Sequence, residues 1–325
     1  MITALALLGY AAGAAWFAPA LLAPLTHRGV SVRAGLAAWL AAMASVLASV
    51  ALAIGLSFRT IAADWPGLTQ ALCRSVAGSA CTPEVYGSVL YQAGVLVLAG
   101  SLTLAGALAA WRYGRRVRRS RAQTRSHARA ALLVGHAIGG QDRTVMLDDP
   151  RPAAYCVAGR PAAIVVTSGA LAVLDQPQLK AVLAHESAHL AHGHHTLATV
   201  TRGLAAAFPG VPLFTRGAEE VARLTEMAAD DSAARTNGRP ALVAALIAIA
   251  TGAAVASGGL PGGAFPDPGM PRGAMAAAAR AVPERVERLL RPSSPARSTA
   301  VTAALSLALA VLAAAPTALT LFLAG

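Results

Sequence analysis

The sequence predicts an α-helical membrane protein of about four spanning helices that carries one water-facing α+β domain. Three observations predict it. The 325 residues are 56% hydrophobic and only 13% charged, and the mean hydropathy is +0.56, outside the range of ordinary soluble domains. Apolar segments at about 2–25, 34–57, 88–111 and 299–323 each approach the ~20 residues that cross a bilayer core. Between the third and the fourth, residues 112–298 hold short strand-like runs and polar helices.

None of the four apolar segments contains Asp, Glu, Lys or Arg, as expected where an unpaired charge costs several kcal/mol. The first has no basic stretch before it and a second span follows at once, so it reads as an uncleaved anchor rather than a signal peptide. The flanks set the orientation. His27, Arg28 and Arg33 follow the first span, and eight arginines run from Arg112 to Arg129 after the third. The loop near 58–87 holds only Arg59 and Arg74, balanced by Asp64 and Glu84. Basic residues stay on the cytoplasmic side. The N-terminus and the 58–87 loop are therefore expected outside, and 112–298 in the cytoplasm. Arg280, Arg285, Arg288, Arg291 and Arg297 precede the last span and agree. The expected organisation is three helices over 1–111, a cytoplasmic domain over 112–298 and a C-terminal helix over 299–325, in a bacterial inner or plasma membrane.

The net charge of +12 does not point to nucleic acid. Most of the arginines flank spans, where they meet anionic headgroups, and neither a basic surface interleaved with aromatics nor a helix-turn-helix pattern is present. No direct nucleic-acid binding is expected. Transport is disfavoured too, because no ionisable residue lines the spans. Cys73 and Cys81 fall in the outside loop, where an oxidising compartment permits a disulfide. Cys156 falls on the cytoplasmic side in a strand-like run and reads as an inert core residue.

Within 112–298, a helix is expected at about 121–138, followed by a hairpin. Residues 153–157 and 162–167 are its strand-like runs, joined by a turn signal with Gly159 and Pro161. The second run is either an edge strand that pairs with an extended substrate or an ordinary core strand. Residues 168–174 read as a short helix. Asp175 then caps a longer helix with Pro177 in its first turn. The apolar run 240–258 reads as a helix of this domain rather than a fifth span, because a crossing there would put Arg280 to Arg297 outside. The Gly- and Pro-rich 257–273 reads as a linker or cleft-side loop.

The chemistry sits in the capped helix. His185 and His189 are four residues apart, so they share one helix face and can reach one metal ion, with Glu186 beside the first of them. This H-E-x-x-H spacing supplies two ligands and a general base for zinc-dependent hydrolysis. A third ligand is needed. In the helix-like run 219–231, Glu226 and Asp230 are again four apart. Glu226 is the candidate third ligand, and Asp230 the candidate partner that orients a ligand histidine. Glu219, Glu220 and Asp231 read as a solvated face, and Arg223 as a surface arginine. His192, His194 and His195 are not assigned as ligands; His194 is a candidate oxyanion or substrate contact.

These residues resemble a family. Ala154-Tyr-Cys-Val-Ala-Gly-Arg, Ile164-Val-Val-Thr-Ser-Gly-Ala-Leu, the run from Leu179 to His189, Glu226-Met-Ala-Ala-Asp and Arg285-Val-Glu-Arg-Leu-Leu are similar to the BlaR/MecR-type membrane zinc metallopeptidases, gluzincins of antirepressor systems. With the four spans, the resemblance covers nearly the whole chain. It implies a zincin-like (gluzincin) domain, zinc held by His185, His189 and Glu226, Glu186 as base, and a protein substrate, with a BlaI-like transcriptional repressor as the candidate. Sensor members carry a penicillin-binding domain after the last span. No S-x-x-K occurs here and Lys180 is the only lysine, so neither that sensor domain nor direct acylation by β-lactams is expected. Any signal would arrive through the 58–87 loop, the spans, a sensor partner or a homo-oligomer. Two other readings remain: an HtpX-like quality-control protease that clips damaged membrane proteins, and a catalytically silent signalling scaffold. An intact Glu186 disfavours the scaffold, which needs no base.

Overall fold

Long apolar runs without breakers become long helices, and four of these dominate the chain. The computed structural model describes residues 2–27, 31–76, 83–138, 144–159, 162–256, 282–291 and 294–324. Helices α1 (Ile2–Thr26), α2 (Val32–Val76) and α3 (Pro83–Val134) open the chain, and α10 (Pro295–Ala324) closes it. Among the described residues, Ile2–Thr26, Val32–Ala63, Leu90–Val134 and Ala296–Phe322 are long and apolar enough to cross a membrane.

Two helices outrun the expected boundaries. α3 continues from its apolar part straight to Val134, where the sequence reading placed a separate helix at 121–138. Residues 112–134 contain no proline and are rich in arginine and alanine, so nothing stops the helix. α2 likewise reaches Val76, well into the stretch expected as a loop. The proposed Cys73–Cys81 bridge and the 257–273 linker lie outside the described residues and side chains.

A four-stranded sheet follows α3, in the order β1-β2-β4-β3. Strands β3 (Ala154–Val157) and β4 (Ala163–Thr167) form the expected antiparallel hairpin, with Tyr155 opposite Val165. β1 (His136–Ala137) and β2 (Thr144–Leu147) were not foreseen; β2 runs parallel to β4. β4 is buried along its whole length between two neighbours. It is therefore the core strand of the two alternatives, as its unbroken Ile164-Val165-Val166 run allows. β3 holds the edge and packs on the next long helix.

That helix is α5 (Gln176–Ala191), reached through the short α4 (Ser168–Val173). The Asp175 carboxylate accepts from the Gln178 backbone N–H, and the Gln178 side chain accepts from the Asp175 N–H, a reciprocal capping box. Gly193, at φ 64°, makes the left-handed turn into α6 (His194–Ala207). Then come α7 (Pro212–Asn237), α8 (Arg239–Ala256) and α9 (282–290). α8 packs its Leu242 and Ala245 in clusters that contain Ala181 and Val182 of α5, as expected of a domain helix. α7 packs on the membrane bundle. Its Leu213, Val221, Leu224 and Met227 share one buried cluster with Trp39 and Met43 of α2, Leu22 of α1 and Leu305 of α10.

Candidate active site

α5 and α7 lie side by side, and each contributes one face with residues four apart. From α5, His185 is 7% exposed and Glu186 9%. From α7, Glu226 keeps 39% of its side chain open to the cleft, whereas Asp230 is fully buried. His185 Nε2 stands 3.1 Å from His189 Nε2. Glu226 offers one carboxylate oxygen 3.5 Å from His185 Nε2 and the other 3.5 Å from His189 Nε2.

These separations can be tested against a metal. Tetrahedral zinc with bonds of ~2.0–2.1 Å holds its ligand atoms about 3.3 Å apart. The two imidazole nitrogens at 3.1 Å, each with a Glu226 oxygen at 3.5 Å, lie near that figure, and one ligand atom from each of the three residues falls within 4.8 Å of the others. Among the described residues, His185, His189 and Glu226 are the group of three donors that can share one ion.

The other nitrogen of each histidine also has a neighbour. His185 Nδ1 lies 3.0 Å from Asp230 Oδ1, a close charge contact that is off the line of a well-directed hydrogen bond. His189 Nδ1 lies 3.0 Å from His194 Nδ1, one ring donating and the other accepting. His194 itself is only 5% exposed. His194, offered from sequence as a candidate oxyanion or substrate contact, pairs its Nδ1 with His189, because the Gly193 turn folds α6 back over the end of α5.

Charge is concentrated here. Burial pushes the Glu226 carboxyl up, but the His185 ring, the Arg285 guanidinium and His189 outweigh it and hold the group down at about 2. Burial likewise acts against the His185 imidazolium, and Asp230 and Glu226 overcome it, raising the ring to about 9. His189 and His194 are each lowered to about 4, mainly by burial. Glu186 is raised, chiefly by burial, which suits a group that must accept a proton. Cys156, on the edge strand β3, meets Glu186 through its thiol, and burial with that nearby carboxylate pushes the thiol up. Read from sequence as an inert core residue, Cys156 adjoins the site.

From sequence, Arg285 was a basic flank of the last span and part of the resembling run Arg285-Val-Glu-Arg-Leu-Leu, with no role in the site. In the structure its Nε and Nη2 donate to both oxygens of Asp230 at 2.8 and 2.6 Å, and Nη1 reaches Glu226 at 3.3 Å. Arg223 is corrected as well. It is half-buried and donates to Glu220, to Glu284 of α9, and to the backbone carbonyls of Thr26 and His27. Glu220 and Asp231 are accordingly ion-paired, Asp231 with Arg288 at 2.7 Å, and only Glu219 keeps the solvated face that was expected.

Known proteins can now be set beside this geometry. Residues 119–211 match the model of peptidase family M48. The chain is also similar to proteins named Protease HtpX homolog. That of Acidiphilium cryptum is 30% identical over 42% of this chain and 60% of the relative. That of Burkholderia thailandensis is 30% identical over 35% and 36% of the respective chains. That of Limosilactobacillus fermentum is 36% identical over 20% and 22%. The chain thus spans between about a fifth and three-fifths of the length of these relatives. No solved structure matches. Of the two enzyme readings drawn from sequence, these likenesses favour the HtpX-like one and do not confirm a BlaR/MecR-type specificity. The M48 match ends at residue 211, before Glu226.

Proposed function

We propose that this protein is an integral-membrane zinc-dependent endopeptidase that cleaves membrane or membrane-proximal proteins, as an HtpX-like quality-control protease would. The observation that carries this reading is the set of three donors at 3.1–3.5 Å with the buried Glu186 beside them. Zinc bound there would supply Lewis acidity and lower the pKa of a water. His185, His189 and Glu226 would hold the ion. Asp230 and His194 orient the two rings from behind. Glu186 takes a proton from the attacking water and returns it to the departing amine. Among the described residues β3 is the outer strand of the sheet, next to the α5 face that bears Glu186, and an extended substrate docks along it by main-chain hydrogen bonds. The arginine distribution supports a cytoplasmic cleft.

The test is a comparison of new protein termini in cells expressing the chain or its Glu186→Gln variant. Many new termini across membrane proteins, absent with the variant, support quality control. One terminus in a DNA-binding repressor would replace that reading with the signalling one. Termini that do not depend on Glu186 would refute both.

A further inference from the structure

We infer that α3 and α6 form a binding site for the phosphate of an anionic phospholipid headgroup. Arg112, Arg115, Arg116 and Arg119 recur at helical spacing, so they share one face of α3. Together with Trp111 and Ala206 of α6 they line a pocket of about 280 Å³, close to the ~300 Å³ at which small-ligand sites begin. The two helices meet closely beside it: a Cβ on Gly203 would come within 2.7 Å of the Tyr113 ring, so the approach requires glycine.

Four guanidinium groups at one concave spot call for negative charge, and the described residues place none against them. There is no Asp or Glu from 85 to 141, nor in α6. Among the described residues none of the four has an ion-pair partner; Arg115 lies over the Trp111 ring at 5.4 Å. Arg202, one turn before Ala206 on α6, is pushed down by burial and then by Arg116, a further sign of unbalanced positive charge.

Depth decides which anion. Residues 90–110 are free of charge and rise about 30 Å at ~1.5 Å per residue, the thickness of a bilayer core. Trp111 then falls at the level where aromatic belts form, and the arginines fall one to two turns beyond, among headgroups. A lipid phosphate reaches this pocket from the side while its acyl chains stay along α3, an arrangement open to no free anion. The site lies at the far end of α6 from His194, about 18 Å along the helix, so it stands or falls independently of the peptidase reading.

The test is thermal unfolding of the full chain in neutral detergent with phosphatidylglycerol, phosphatidylcholine or inorganic phosphate added at equal phosphate. Phosphatidylglycerol alone should raise the midpoint. Arg115→Gln with Arg116→Gln should weaken its apparent affinity about 25-fold, a factor of roughly five per charge. Arg125→Gln, on the same helix outside the pocket, should leave it unchanged. The lipid-free midpoint of each variant checks that it folds. An equal shift from inorganic phosphate, an equal shift from phosphatidylcholine, or a lipid effect that survives the double substitution would overturn the assignment.

Discussion

His185 carries the largest conflict in the molecule: it is buried, yet carboxylates stand at both ring nitrogens, Asp230 at Nδ1 and Glu226 at Nε2. In the metal-free chain they hold its proton up to about pH 9 rather than the ordinary 6.5. A raised folded-state value stabilises fully below the unfolded value and is lost as pH rises through the folded one. The metal-free protein should therefore lose stability between about pH 6.5 and 9. Glu226 has the opposite sign. Its depressed value of about 2 stabilises above the ordinary 4.5 and is lost as pH falls. The proton on His185 Nε2 must leave before an ion can bind, so zinc affinity should rise with pH over the same 6.5–9 window. Unfolding midpoints of chelator-treated protein and zinc titrations across that window check both. A flat stability profile with pH-independent affinity would mean that the ring is neutral and the charge network is misread.

At the scale of elements, α9 clamps α7. Arg285 closes on the fully buried Asp230, Arg288 on Asp231 and Glu284 on Arg223. Removing Arg285 takes the two-pronged cation from a buried carboxylate and leaves it only the His185 ring; breaking a buried pair typically costs roughly 3–5 kcal/mol. Arg285→Ala should destabilise by that order, and adding Asp230→Ala should cost much less than a second full increment. Additive losses in denaturant unfolding would show that the two are not coupled. This clamp was hidden in the sequence. Arg285 lies 55 residues from Asp230, and the positive-inside bias already gave its charge a sufficient explanation. The parts that could be read were local: the Asp175 cap, the four-residue spacing of His185 and His189 and of Glu226 and Asp230, and the hairpin at Tyr155 and Val165. β2 escaped because Thr144–Leu147 is too short to show a period. The continuity of α3 escaped because the change from apolar to arginine-rich residues looks like a boundary, although the backbone has no reason to stop there.

Across the whole molecule, the site is joined to the membrane bundle and does not hang below it. α7, which bears Glu226, buries Leu213 and Leu224 among residues of α1, α2 and α10, while Arg223 holds the carbonyls at the end of α1. The end of α1 and the arginine-rich part of α3, packed on α6, therefore lie on the same side as the cleft, and the proposed cytoplasmic orientation applies to all three together. An exposed Lys180→Cys thiol, in a chain stripped of its own cysteines, should resist an impermeant maleimide in intact cells and react in inverted vesicles. Labelling in intact cells would reverse the topology. The central claim, that three donors hold a metal while Glu186 moves the proton, is tested most directly by metal content and cleavage of an unfolded membrane protein, measured on one preparation each of the purified full chain, Glu186→Gln and Glu226→Ala. The full chain should hold one zinc and cleave. Glu186→Gln should hold one zinc with cleavage lowered at least ~100-fold, and Glu226→Ala should lose both. Cleavage retained by Glu186→Gln, or full zinc occupancy in Glu226→Ala, would contradict the account.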